Sequence, residues 1–408
     1  MTNRVEPDES VEVNSNTTCL QRLYEQFQKR KLLWIIFLII LIVVIIVVVT
    51  TTLLLNRTKR EKTTTITEIT SETTEESITS SATTATSSSS SSTTITTGEQ
   101  LIPSVIIDKN TKWKKDAVTV AGGNGDGSEL NQLNQPWGIH VDSDDHSIYI
   151  ADTSNHRIVR WKSGANNGEV VAGGNGLGST VDRLNYPNDV VLDKEKKYVI
   201  ICDYYNERAM KWSLQNNQDH QVLIPSISCF GLAMDSNGDL YISEWDKHQV
   251  RRFYEDDRQG TVVAGGNGQG NRLNQLNGPV YIFVDKDHSV YIADDRNNRV
   301  MKWMENANEG SLVAPGQVSN ENPNSLVQPI GVIVDHMGNI YVSSKGSHQI
   351  TRWSPSEIEG TPVIGEKQLG SEPTQLQEPQ ALSFDQQGNL YVVDKHNHRI
   401  QKFAIDRD

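Results

Sequence analysis

Residues 136–161 read PWGIHVDSDDHSIYIADTSNHRIVRW. The stretch has a grammar: Pro136, an apolar run ending in Asp142, a second run ending in Asp152, and a hairpin that reaches an aromatic, Trp161. The same grammar restarts at Pro187, Cys229, Pro279, Pro329 and Pro379, roughly every fifty residues. Self-similarity at such a period signals a solenoid, a propeller or an array.

Each unit reads as four strands. Trp137–Asp142 runs apolar, as an inner strand buried on both faces does. A polar turn follows; later copies use Asp-Ser-Asn-Gly-Asp and Asp-Gln-Gln-Gly-Asn, the chemistry of tight turns. Ser147–Ala151 supplies a second strand, Arg157–Trp161 a third and Glu169–Ala172 a fourth, with Thr261–Ala264 a later counterpart of the fourth. No segment of the repeat region keeps a helical period. Six such units predict an all-β fold, a six-bladed β-propeller over residues 112–408. Val118–Ala121 is a fourth strand with no three before it, and Pro379–Phe403 supplies three strands with no fourth after them. The N-terminal strand is expected to complete the last blade and hide the edges of an open array.

Asp152-Thr-Ser-Asn-His-Arg-Ile158, Asp294-Asp-Arg-Asn-Asn-Arg-Val300 and Asp394-Lys-His-Asn-His-Arg-Ile400 resemble NHL repeats, as does the Pro-x-Gly-Ile start at Pro136–Ile139. The resemblance spans about three-quarters of the chain. It implies the propeller fold and leaves function open: such propellers serve as protein- and RNA-binding platforms, as sensor heads of membrane proteins, and as the peptidyl-hydroxyglycine amidating lyase.

The part before the repeats divides by composition. Residues 1–31 carry five acidic and five basic side chains and no visible core, which predicts a disordered tail. Residues 32–55, LLWIIFLIILIVVIIVVVTTTLLL, hold no charge, and as a helix of ~1.5 Å per residue they cross a ~30 Å hydrocarbon layer. A cleaved leader would have a shorter apolar run, so a transmembrane anchor is expected. Residues 56–111 form a Ser/Thr-rich stalk, with 25 of the 35 residues from Thr63 to Thr97 being Ser or Thr, a composition that cannot bury a core and suits O-glycosylation. Counted near the membrane, four basic residues on each side of the span, Arg22, Lys29, Arg30 and Lys31 against Arg57, Lys59, Arg60 and Lys62, leave orientation undecided by charge. The stalk decides it: residues 1–31 cytoplasmic and the head extracellular or lumenal, a single-pass type II glycoprotein of the plasma membrane.

Residues 112–408 carry 28 Lys and Arg against 39 Asp and Glu, a formal charge of −11, which argues against nucleic acid as a partner. The Gly-rich loops at 122–127, 173–178 and 265–270 lack a following helix and a lysine, so they are turns and not phosphate cradles. Asp152 with Arg157, Asp203 with Arg208, Asp294 with Arg299 and Asp394 with Arg399 are expected to pair across hairpins; Glu244 with Gln249 and Ser344 with Gln349 have lost both partners together. His156, His248, His348 and His398 recur at one repeat position in separate blades, so they are too far apart to share zinc, whose nitrogens sit at ~2.0–2.1 Å. Only His140 falls on an inner strand. No catalytic set, metal site or cofactor is expected. Cys202 and Cys229 break the repeat at one seam between neighbouring blades; a disulfide or two buried thiols both fit.

Aromatics break the repeat too. Trp137, Tyr186, Tyr204, Tyr205, Phe230 and Trp245 replace mostly polar or small residues on the face where first strands begin, here called the top. Aromatics carry binding hot spots because they bury a large rigid surface. The expectation is a binding module that takes a protein or other extracellular ligand on this face. A lyase-type metalloenzyme and a cytosol-facing scaffold are the alternatives.

Overall fold

The computed structural model describes residues 107–407 apart from 217, 317–325, 356 and 358. The expected tail, the span 32–55 and the stalk up to residue 106 lie outside the described residues. Among those described, no helix is long and apolar enough to cross a membrane.

The repeats fold into six four-stranded antiparallel sheets. In blade 1 the strands are Ile139–Val141, Ile148–Asp152, Arg157–Trp161 and Glu169–Gly173, ordered from the bore outward. The inner strand starts three residues later here than in blade 2, where it runs Pro187–Leu192. Each inner strand lies against the next around the bore, and that of blade 6, Pro379–Phe384, returns to blade 1. The third-strand aromatics Trp161, Trp212, Phe253, Trp303, Trp353 and Phe403 are all buried. Helical structure among the described residues is limited to four single 3-10 turns in the top hairpins.

Ring closure follows the expected route. Val118–Gly122 is the outer strand of blade 6, with Val118 opposite Lys402 and Gly122 opposite Arg399. A second clasp lies underneath, where Lys112–Trp113 pairs with Ile405–Asp406. Trp113 packs between Tyr341 and Phe384 and donates from Nε1 to the Gly388 carbonyl at 3.0 Å. Residues 107–111, assigned by composition to the stalk, pack on the head: Ile107 is buried, and the Arg352 guanidinium donates to the carbonyls of Asp108, Lys109 and Thr111.

The Asp–Arg motif proves to be a loop clasp. The Asp152 carboxylate accepts from Arg157 Nε at 2.7 Å, from Asn155 Nδ2 and from the Asn134 amide. The guanidinium also donates to the carbonyls of Ser128, Glu129 and Gln132, so one arginine holds the Gly-rich loop that leads into its own blade. Blades 2, 4 and 6 repeat this with Arg208, Arg299 and Arg399 on Asp203, Asp294 and Asp394. Blade 3 corrects the sequence reading: Glu244 keeps an arginine, Arg251, two residues further along the strand, in a two-pronged pair at 2.8 and 2.9 Å. In blade 5, Ser344 instead bonds the backbone of Val327, with no ion pair.

Candidate functional site

The top of the bore is shaped by a recurrent irregularity. In blades 2 to 6 the pairing of first and second strands slips just after the opening residue, so the second residue of the inner strand is left out of the ladder. A bulge of this kind re-aims its side chain. Trp137, Asn188, Phe230, Val280, Ile330 and Gln380, the six residues at this position, all line one funnel of about 330 Å³. The first residue of each top hairpin joins them: Thr153, Tyr204, Trp245, Asp295, Lys345 and Lys395 in blade order. All six aromatics singled out in the sequence therefore meet in one cavity.

They form a descending ladder. At the rim, Tyr186 stands edge-on to Tyr205 with centroids 5.1 Å apart, and Tyr205 meets Tyr204 at 4.9 Å. Tyr204 contacts Phe230 at 5.6 Å, and Phe230 meets Trp137 at 5.3 Å and Tyr281 at 6.2 Å. Exposure falls along it, from 63% at Tyr205 and 38% at Tyr186 to 5% at Phe230, while Trp137, Tyr204 and Trp245 are half-buried against the core. Cys202 and Cys229 are joined as a disulfide with Cα atoms 5.5 Å apart. The bond lies two residues before Tyr204 and one before Phe230, so it ties together the two strands that carry this wall.

The opposite side is charged. Lys345 pairs with Glu378 at 3.4 Å, and His396 bonds the same carboxylate at 3.0 Å. Arg296 stacks on Trp245 at 4.1 Å, and Lys395 places its ammonium 4.5 Å from the Trp137 ring centre. Burial lowers the Lys395 pKa, opposed by Glu378, and raises that of Asp295.

Tyr281 closes the floor by reaching across to donate its hydroxyl to the Asn188 carbonyl at 2.9 Å. Below it only about 30 Å³ of channel remains, lined by residues including His140, Asp189 and Tyr281. Burial there pulls the His140 pKa down to about 4 and pushes that of Asp189 up to about 8, although Asp189 accepts from the amides of Val190 and Leu232. Sequence reasoning missed Tyr281, Asp189 and Lys395. The signal was present for two of them: Asp189 and Tyr281 stand where other blades have Gly138, Gly231, Gly331 and Ala381.

The recurring histidines are spent on a seam. His156, His248, His348 and His398 adopt positive φ, and each Nδ1 accepts from the amide just before the next blade, those of Tyr186, Gly278, Glu378 and Gln135, at 3.1 to 3.3 Å. In blade 4, Asn298 makes the same bond to the Gln328 amide through its side-chain oxygen. Among the described residues, no group of three or more His, Cys, Asp or Glu is placed to hold a metal ion.

Comparison with known proteins agrees with this architecture. The NHL repeat family matches residues 133–161 and 376–403, in blades 1 and 6. No curated protein matches the chain. Among solved structures, a Bacteroides thetaiotaomicron VPI-5482 structural genomics protein of unknown function is 17% identical with a TM-score of 0.57, over 71% of this chain and 76% of that one. An auxiliary nutrient binding protein from the same organism is 14% identical with a TM-score of 0.55, over 76% of each chain. A putative phosphatase from that organism is 13% identical with a TM-score of 0.56, over 73% of this chain and 80% of that one. At such identities the likeness concerns the fold alone.

Proposed function

We propose that this six-bladed β-propeller, with NHL repeats matched in blades 1 and 6, acts by binding, with the top funnel as the ligand site of a head displayed outside the cell or in a lumen. The observation that carries the reading is the convergence of all six aromatic departures from the repeat in one concave site. A repeat fold needs no aromatic at these positions: other blades use Asp295, Lys345 and Lys395 in the hairpin and keep the same strands. A cavity of this size, apolar on one wall with a few polar groups facing it, is the usual form of a small-ligand or side-chain pocket.

The anchored arrangement adds support. Ile107 and Trp113 lie under blade 6, beside the turn at Gly388, so the described chain enters the head on the face opposite the funnel and leaves its mouth clear. Protease added to intact cells should release the head; protection until permeabilisation would place it in the cytosol.

The site is tested by the two rim tyrosines. Ligand-observed NMR of a set of small aromatic fragments against the full chain should give hits that Tyr186→Ala with Tyr205→Ala abolishes. Both residues are exposed, so the melting temperature should stay close to that of the unaltered protein. Retained binding in the double variant would move the site away from the funnel.

A further inference from the structure

We infer that the funnel takes a ligand made of a flat apolar body and one anionic group, the anion meeting Lys395 and Lys345 while the body lies on the aromatic wall. This rests on the funnel being the binding site and specifies its chemistry.

The first observation is a buried ammonium without an anion. Lys395 is 8% exposed and lines the funnel, yet among the described residues no ion pair to it is found. Its stabilising contact is the face of Trp137. The nearby carboxylate, Glu378, is already engaged by Lys345 and His396. Burying a charge without a counter-charge is costly, and a site that does so at a cavity wall is complementary to an anion that arrives with the ligand.

The second is the sign of the lining. The repeat region is strongly acidic, but the charged residues that line the funnel are Lys345, Lys395 and Asp295, two cations against one carboxylate. Burial disfavours the ionised form of that carboxylate. A positive spot inside an acidic head favours an anion there.

The third is the order of blades. With six blades, blade 2 faces blade 5 and blade 3 faces blade 6 across the bore. Tyr204 therefore stands opposite Lys345, and Trp245 opposite Lys395. A ligand that spans the mouth from Tyr204 and Trp245 meets the Lys345 and Lys395 ammoniums on the far side, the latter lying on the Trp137 ring. The floor adds polar demand: Nδ2 of Asn188 and Oε1 of Gln380 meet no hydrogen-bonding group of the described protein, and both side chains belong to funnel-lining residues. Gln380 is held in this orientation by donation from Nε2 to the Glu378 carbonyl at 3.0 Å.

Three matched probes decide the question on the full chain by calorimetric or NMR titration: 3-phenylpropionate, 3-phenylpropanamide and 3-phenylpropylamine. The acid should bind about tenfold more tightly than the amide, the scale of a charge-assisted hydrogen bond. The amine should bind most weakly. Lys395→Met, which keeps the aliphatic stem against Trp137, should erase the preference for the acid while leaving amide binding intact; Lys395→Arg should restore it. Acid and amide binding equally to the wild-type protein, or the amine binding best, would overturn the inference and leave the funnel as a site. None of the three binding at millimolar concentration would overturn both. Should Lys395→Met fail to fold, the wild-type series still decides.

Discussion

The bore of this propeller holds two regions built from the same six strands, and they differ more than a few residues of separation would suggest. The upper region is an open funnel of about 330 Å³; the lower is a narrow channel of about 30 Å³. Above, the bulge frees one residue per blade from the ladder, so Trp137, Asn188, Phe230, Val280, Ile330 and Gln380 vary without disturbing the sheet. Below, the side chains must fill space. Ile139, Val191, Leu232, Ile282, Val332 and Leu382 do so as apolar residues of similar size. Variation is tolerated where the strand ladder does not fix the side chain, and in a repeat protein that is where specificity accumulates.

The largest expected effect removes the ring that both regions depend on. Deleting residues 112–122 takes away the outer strand of blade 6 and the lower clasp of Trp113. An unpaired edge of the Arg399–Phe403 strand then stands open to other chains, and aggregation with a large fall in melting temperature should follow. Size-exclusion chromatography and a thermal scan read both; a monomer with an unchanged melt would show that the closing strand is dispensable.

The second prediction merges the two regions. Tyr281 is the partition, fully engaged between Phe230 above and the Asn188 carbonyl across the bore. Tyr281→Ala should cost about 3–5 kcal/mol, as aromatic truncation in a core does. It should also expose His140, whose ring-proton exchange by mass spectrometry would quicken. Tyr281→Phe keeps the ring and loses one hydrogen bond, so about 1 kcal/mol is expected. Equal losses in the two variants would mean that the hydroxyl, not the ring, holds the partition.

How far these regions were legible beforehand depends on which rule each residue obeys. Strand limits such as Arg157–Trp161, the closing strand and the aromatic departures follow from period and position, because repeats provide their own internal reference. The role of Arg157 did not follow: its bonds to Ser128, Glu129 and Gln132 join residues more than twenty positions apart, which no hairpin rule anticipates. Arg251 replacing the missing partner of Glu244 is of the same kind, a contact set by the strand face and not by the motif. The underside clasp at Ile107 and Trp113 was hidden by its neighbours, since a low-complexity segment masks a few packed residues at its end. The four histidines were read as too distant for one metal, but that each accepts an amide from the next blade depends on positive φ, which histidine does not advertise.

The last prediction sharpens the contrast from inside the lower channel, where two groups titrate in opposite senses. His140 has its pKa lowered by burial from 6.5 to about 4, so the unfolded chain takes up its proton first. Its contribution to stability is full above pH 6.5 and is lost as pH falls towards 4. Asp189 is raised from 3.8 to about 8, so its contribution is full below 3.8 and is lost as pH rises towards 8. On going from pH 7 to pH 4.5, Asp189 therefore regains stability while His140 loses it, and the wild-type curve alone hides both. His140→Val, which installs the residue found at Val191, removes one of the two. Urea melts at the two pH values should show the variant gaining about 2–3 kcal/mol relative to wild type at the lower pH, at about 1.4 kcal/mol per pKa unit. Both proteins keep Asp189, so its contribution cancels in that difference. A gap between variant and wild type that stays constant from pH 7 to 4.5 would mean that water reaches His140 and that the channel below Tyr281 is not closed.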